Sequence, residues 1–298
     1  MSSTSTRKKA GFPGKKCTPY QSHEPILKET ICLIKKYGIR PKRRLSQSFV
    51  VDELLIRTIV ENVQPKPSDV IVEIGAGLGT LTFELAKNGS KIKAVEIDPN
   101  LVKVLKDRFS KFQNVEVIQS DFMKMDLNGN VFTGNIPYHV STPMIFKILE
   151  QNYDRAVITV QKEVAERIVS KPGTQSYGRL TVSVNIRAEP RIVGLFSSSS
   201  FYPRPKVSHA ILYMKPSERV VNERVLDDLL RTMFSQRNRL ARTVLRNSLE
   251  KLYGEKSGWL YSNIVQLIPE GERVFKLTAQ DFLKLAQSLS SLLRSIGA

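Results

Sequence analysis

The chain has 298 residues, 41% of them hydrophobic, and carries a formal net charge of +18. That is enough apolar material for a full core with room for a second, smaller domain, and no apolar run approaches the ~20 residues of a membrane-spanning helix. The charge is uneven: net +10 over residues 1–50, +1 over 51–200 and +7 over 201–298. A near-neutral body between two basic ends fits a partner that is a polyanion, nucleic acid above all. Cys17 and Cys32 have no matching Cys/His set. They make neither a disulfide framework nor a zinc site, and we expect free thiols in a reducing compartment and a cytoplasmic protein.

Residues 1–23 contain no acid and little apolar content, and read as a disordered basic tail. Ile26, Ile31 and Ile34 then mark a short amphipathic helix that ends at Tyr37-Gly38. A basic triplet, Lys42-Arg43-Arg44, and a polar loop lead into a second helix that runs to about Asn62. From Val70 the chain alternates strand and helix. Strands are expected at 70–74, 91–97, 115–119, 131–133 and 156–160, and helices at 80–88, 100–112, 142–151 and 163–169. This is the pattern of an α/β, doubly wound, mostly parallel Rossmann-like sheet. A loop at 171–178, a helical stretch at 179–186 and strands near 191–195 and 210–214 complete it. Helical spacing at 225–234 and 240–249 and a last helix at 279–296 then give a small C-terminal all-helical domain. The domains expected are a tail (1–23), a catalytic domain with an N-terminal helical arm (24–216) and a helical domain (217–298).

Glu73-Ile74-Gly75-Ala76-Gly77-Leu78-Gly79 follows the first strand of the alternation and opens a helix. Glycines there let backbone N–H groups approach a ligand. The spacing is G-x-G-x-G, not the G-x-G-x-x-G that cradles a dinucleotide pyrophosphate. A carboxylate at 73 would repel a phosphate and suits a cofactor with a cationic amino-acid end, such as S-adenosylmethionine. Glu96 closes the second strand, where it can accept two ribose hydroxyls. Asp121 closes the third, where it can accept an adenine amine, and Asn135 closes the fourth. Polar residues at the carboxyl ends of successive parallel strands line the crevice in which such sheets bind ligands.

Gly134-Asn135-Ile136-Pro137-Tyr138 is a stiff polar corner between strand and helix. Asn135 Oδ1 and a carbonyl at 136 or 137 can accept the two hydrogens of an exocyclic amine. Pro137 fixes the backbone and Tyr138 can stack on the ring. His139 and His209 are read as structural or surface residues, not bases. Arg239, Arg242 and Arg246 recur at i, i+3, i+7 and, with Arg231, Arg237 and the triplet 42–44, are candidate phosphate contacts.

With these residues in place, the sequence resembles the small-subunit rRNA adenine N6,N6-dimethyltransferases, the KsgA-type enzymes, most closely their archaeal and eukaryotic members. The resemblance runs from about Arg43 to Lys215. It rests on residues 45–50, 73–82, Asn135-Ile136-Pro137-Tyr138 with Ser141-Thr142-Pro143, 161–167, 177–180 and Phe201-Tyr202-Pro203-Arg204-Pro205-Lys206-Val207. It implies cofactor contacts at Ser48, Val50, Gly75, Glu96, Asp121 and Asn135, with Gln47, Glu73 and Gly77 beside them. It also implies that Phe201 closes on the second face of the target base. The reaction implied is dimethylation of two adjacent adenosines in the 3′-terminal hairpin of small-subunit rRNA, by a monomer acting on an immature subunit, with no metal. The chain departs from the family near its start, where Ser48 stands in place of the usual Asn or His. Two alternatives stay open: a large-subunit adenine methyltransferase of the antibiotic-resistance type, and a non-catalytic nucleic-acid-binding factor on the same fold.

Overall fold

The computed structural model describes residues 26–126, 128–217 and 222–296, without the side chain of Arg43. The expected tail at 1–23 lies outside the described residues. Helix α1 (Ile26–Lys36) buries Ile26 and Leu33. A two-residue strand β1 (Phe49–Val50) follows, then α2 (Glu53–Val63), whose N-cap Asp52 accepts from Leu54 N at 2.9 Å. Cys32 is disulfide-bonded, where reduced thiols are expected from the sequence. Too few cysteines for a framework still suffice for one bridge.

Strands β2 (Val70–Ile74), β3 (Lys91–Glu96), β4 (Val115–Gln119), β5 (Val131–Asn135) and β6 (Arg155–Gln161) alternate with α3 (Thr80–Ala86), α4 (Pro99–Arg108) and α5 (Ser141–Leu149). They are followed by α6 (Lys162–Ile168), α7 (Arg179–Arg187), β7 (Ala188–Phe196), β8 (Phe201–Tyr202) and β9 (His209–Pro216). The main sheet has the order β4-β3-β2-β5-β6-β9-β7. All pairs from β4 to β6 are parallel, while β9 runs antiparallel to both β6 and β7. The second sheet is the antiparallel pair β1–β8.

Period-two alternation in the strands feeds two cores. Ile71, Val131, Val157 and Ile211 face α2 and α3, whereas Val72, Phe132, Ala156, Ile158 and Leu212 face α5, α6 and α7. Strand order reverses at β2, which pairs with β3 on one side and β5 on the other. Helices follow both flanking strands, so the crevice at their carboxyl ends is open.

Beyond β9 lie α8 (Glu223–Phe234), α9 (Ala241–Tyr253), α10 (Ser257–Ile264) and α11 (Ala279–Ser295). Their apolar faces form one core that also contains Tyr177, Val182 and Ile186 at and before α7. Tyr177 Oη donates to Leu277 O at 2.7 Å, and the buried Arg187 guanidinium reaches Glu223 and Asp227 of α8 at 3.7 and 3.4 Å. Helix α10 and the strands β1 and β8 were not expected from the sequence. Arg239 precedes α9, so only Arg242 and Arg246 of the expected basic face lie on that helix. Among the described residues, no helix is long and apolar enough to cross a membrane.

Gly134 adopts φ 139°, and a Cβ built on it would stand 2.2 Å from Ile74 O across the β2–β5 pair. Gly134→Ala is expected to lower unfolding stability by roughly 3 kcal/mol or more, read as a fall in the urea midpoint with the slope unchanged.

Candidate functional site

The cavity at the carboxyl ends of β2, β3, β4 and β5 is walled by the turn after β2 and by the segment that precedes α2. Leaving β2, the chain passes Gly75, Gly77 and Gly79 at φ 72°, 60° and 82° and enters α3. At Gly79 a side chain is excluded as well as strained, since a Cβ would lie 2.6 Å from the Phe109 ring. The turn is pinned to β3 by Gly75 and Ala76 N–H groups donating to Val95 O at 2.9 and 3.1 Å.

Glu96 ends β3 at the cavity wall, 5% exposed. Its Oε2 accepts from Gly77 N and its Oε1 from Asp98 N, both at 2.9 Å. Burial raises its pKa, and these backbone donors oppose the rise. A carboxylate has about four acceptor positions, so each oxygen keeps capacity for a ligand hydroxyl. Glu73, 2% exposed, also reaches the cavity and accepts from Thr82 Oγ1 at 2.6 Å. Burial, with Glu96 nearby, pushes its carboxyl up to about 8. Glu73 is therefore protonated at neutral pH, where the sequence reading expects a carboxylate; a cation beside it would favour ionisation. Asp121 caps the turn after β4 by accepting from Met123 N at 3.0 Å and also lines the cavity. Ile97, 48% exposed, and Met123 supply apolar walls next to it. Sequence reading missed both, although each directly follows or lies close to a strand-end acid.

The segment 45–50 closes the opposite side. Gln47 Oε1 accepts from Lys42 N at 2.7 Å, and its Nε2 donates to Asp98 Oδ2 at 2.8 Å. Lys42 Nζ pairs with the same buried oxygen at 2.8 Å. Although burial works against it, this pairing holds the Asp98 carboxyl below the usual carboxylate range. Lys42 is thus engaged within the protein while its side chain stays 30% exposed. Ser48 Oγ donates to Pro203 O at 2.8 Å, and Val50 sits on the cavity wall.

At the end of β5, Asn135 Nδ2 donates to Ser48 O at 3.0 Å, while Oδ1 is buried with no hydrogen-bond partner. A main-chain carbonyl can only accept, so the amide must turn its NH₂ to Ser48 and its oxygen the other way. Pro137 has φ −60°, and its carbonyl accepts from Val140 N at 3.2 Å, closing the corner into a turn. Tyr138 is half-buried, with Oη 3.1 Å from His209 Nε2 and its ring off the cavity wall. Phe201 is 1% exposed and packs on the far side of His209, centroid to centroid 4.2 Å. The pairing of β8 with β1 turns Phe201 into the core, which corrects its expected place on the second face of a base. His139 is exposed, with Nδ1 3.2 Å from Ser46 Oγ. Among the basic candidates, Arg44 and Arg239 are exposed, Arg242 Nε donates to Ile268 O at 3.0 Å, and Arg246 lies over Tyr261.

This set fits S-adenosylmethionine: acids at three strand ends, an apolar slot beside Asp121 for a flat ring, and an unpartnered acceptor at Asn135. The comparisons agree. Residues 38–291 match the family described as Ribosomal RNA adenine dimethylase. The probable ribosomal RNA small subunit methyltransferase A of Thermococcus sibiricus is 34% identical over 260 residues, covering 86% of this chain and 95% of that protein. The ribosomal RNA small subunit methyltransferase A of Thermotoga neapolitana is 41% identical over 223 residues, 74% of this chain and 86% of that one. Among solved structures, a dimethyladenosine transferase from Plasmodium falciparum superposes with TM-score 0.74 at 28% identity, covering 84% of this chain and 98% of that one. The 23S rRNA methyltransferase ErmE gives 0.62 at 26% identity, covering 81% and 99%.

A carboxyl raised by folding contributes stability at low pH that is lost as pH rises through its folded value. Without cofactor, the protein is expected to lose stability between about 4.5 and about 8, and Glu73→Gln should flatten that loss. Denaturant melts of both proteins across this range measure it.

Proposed function

The chain belongs to the ribosomal RNA adenine dimethylase family, and we propose that it dimethylates the exocyclic N6 of adenosines in small-subunit ribosomal RNA. The observation that carries this reading is the buried, unpartnered Asn135 Oδ1 at the end of β5, beside the cofactor crevice. When bound, S-adenosylmethionine supplies an electrophilic methyl group on its sulfonium. Glu96 accepts the ribose hydroxyls, Asp121 the adenine amine, and Glu73 faces the ammonium end. Gln47, Ser48 and Val50, with Gly75 and Gly77, complete the enclosure and keep water out.

The N6 lone pair of adenine is delocalised into the ring and is a weak nucleophile. Asn135 Oδ1, fixed in direction by Ser48 O, accepts one N6 hydrogen and draws the nitrogen toward a pyramidal shape. Pro137 keeps the acceptor in place, so the contribution is positioning and a preset dipole. Tyr138 holds the base by stacking. Neither described histidine acts as base: burial pushes His209 down to about 4, and His139 is paired with Ser46.

In this reading residues 24–216 form the methyl-transfer domain and 217–298 a helical domain that grips RNA, with the basic tail 1–23 ahead of both. Arg44, Arg239, Arg242 and Arg246 contact phosphates, and Arg43 joins them. The protein works as a monomer in the cytoplasm on the immature small subunit, at two adjacent adenosines of the 3′-terminal hairpin. The likeness to ErmE keeps the large subunit as the second substrate to test.

With labelled S-adenosylmethionine, unmodified small subunits are expected to yield N6,N6-dimethyladenosine and large subunits none. Label in large subunits would favour the resistance-type reading. Cofactor binding without transfer to either would favour a binding factor. Asn135→Ala should lower kcat about 10²–10³-fold with cofactor affinity within about threefold, measured by single-turnover transfer and titration. Unchanged turnover would remove Asn135 from the mechanism.

A further inference from the structure

His209 opens β9 opposite Gln161 and Phe196 and is fully buried. Its ring contacts those of Tyr138 and Phe201, with centroids 5.3 and 4.2 Å away. Nε2 lies 3.1 Å from Tyr138 Oη, while Nδ1 is buried without a hydrogen-bond partner. A neutral imidazole has one N–H to place. Putting it on Nδ1 would strand a buried donor, which folded proteins rarely tolerate; putting it on Nε2 leaves only a bare lone pair. The proton therefore sits on Nε2, and His209 donates to Tyr138.

That assignment fixes the phenol: Tyr138 Oη accepts from His209 Nε2 at 3.1 Å, which sets the place of its ring. Ser48 Oγ passes its hydrogen to Pro203 O at 2.8 Å. The carbonyl of the same Ser48 accepts from Asn135 Nδ2 and sets the direction of Oδ1. The imidazole in the core thus holds the phenol at the methyl-transfer corner, where Ser48 O holds the amide.

We propose that His209 is a positioning residue for methyl transfer: packed against Tyr138 and Phe201 and donating from Nε2, it orients the Tyr138 phenol, whose ring holds the target base. The proposal rests on the methyl-transfer reading above, and it assigns His209 no contact with substrate or cofactor. The role falls on kcat, because the bond fixes Tyr138 at the corner and leaves the acids of the cofactor cradle untouched.

Three variants and one spectrum test it. His209→Phe keeps an aromatic wedge and removes the donor; kcat should fall about tenfold or more with KM for S-adenosylmethionine unchanged. His209→Gln, which carries an amide nitrogen near the place of Nε2, should recover most of that loss. In a Tyr138→Phe background, His209→Phe should add nothing, since the bond it breaks is already gone. Full kcat in His209→Phe, a loss that adds in full to that of Tyr138→Phe, or no recovery in His209→Gln would overturn the proposal. The chain has only three histidines, His23, His139 and His209, so ¹⁵N-histidine spectra resolve the ring. We expect His209 neutral with the proton on Nε2, and a shift of that signal in Tyr138→Phe. A proton on Nδ1 would overturn the assignment. The spectrum needs no methyl transfer and no core substitution, so it decides the His209–Tyr138 bond even if the substrate reading fails or His209→Phe does not fold.

Discussion

The closeness of β2 and β5 governs the site. Ile74 pairs with Gly134, and only a residue without a side chain allows the two backbones that approach. One residue further on, the strands part, and the chain at Gly75 lies against the main chain of Asn135. Strand order reverses at this pair, so the cofactor loop leaves to one side and the methyl-transfer corner to the other. The geometry that matters for reaction is therefore set by strand pairing, with rigid elements holding both halves.

The acids around this pair are costly to bury, and the structure offsets the cost locally. Glu96 takes two backbone N–H groups, Glu73 a threonine hydroxyl, and Asp98 both Lys42 and Gln47. Buried pairs of this kind contribute little net stability and fix geometry instead. A second buried pair, Arg108 with Glu29, extends to Leu78 O and ties α1 to the glycine turn. The N-terminal arm is thereby stitched to both ends of α4, at Asp98 and Arg108, although its sequence reads mainly as basic and polar.

The strands and the acids that end them were legible because both obey simple rules. Period-two apolar runs locate β2 to β6, and an acid or amide at each carboxyl end marks the crevice. Glu73, Glu96, Asp121 and Asn135 all reach one cavity wall for that reason. What escaped were features that depend on a distant partner. Strands β1 and β8 are two residues each and exist only as a pair. Lys42 reads as a free cation until Asp98, far along the chain, claims it. Phe201 and His209 lie close in sequence, but the tilted contacts of the His209 ring with Phe201 and Tyr138 require β9 to run beside β6 and β8 to lie on β1. Helix α10 carries glycine at its second position and only two buried residues, too weak a periodic signal to read.

The shared core of α7 with α8 to α11 makes the C-terminal helices part of the same rigid body as the sheet, since Tyr177, Val182 and Ile186 are packed among them. Arg187 reinforces that junction with two carboxylates of α8. The distance from the cations on α9 to Asn135 is thus fixed, like the span of a caliper. A folded RNA held at one jaw would offer to the other only the nucleotide that its own shape places at that distance. Choice among chemically identical adenosines would then be made by measurement along the substrate, with no reading of neighbouring bases required.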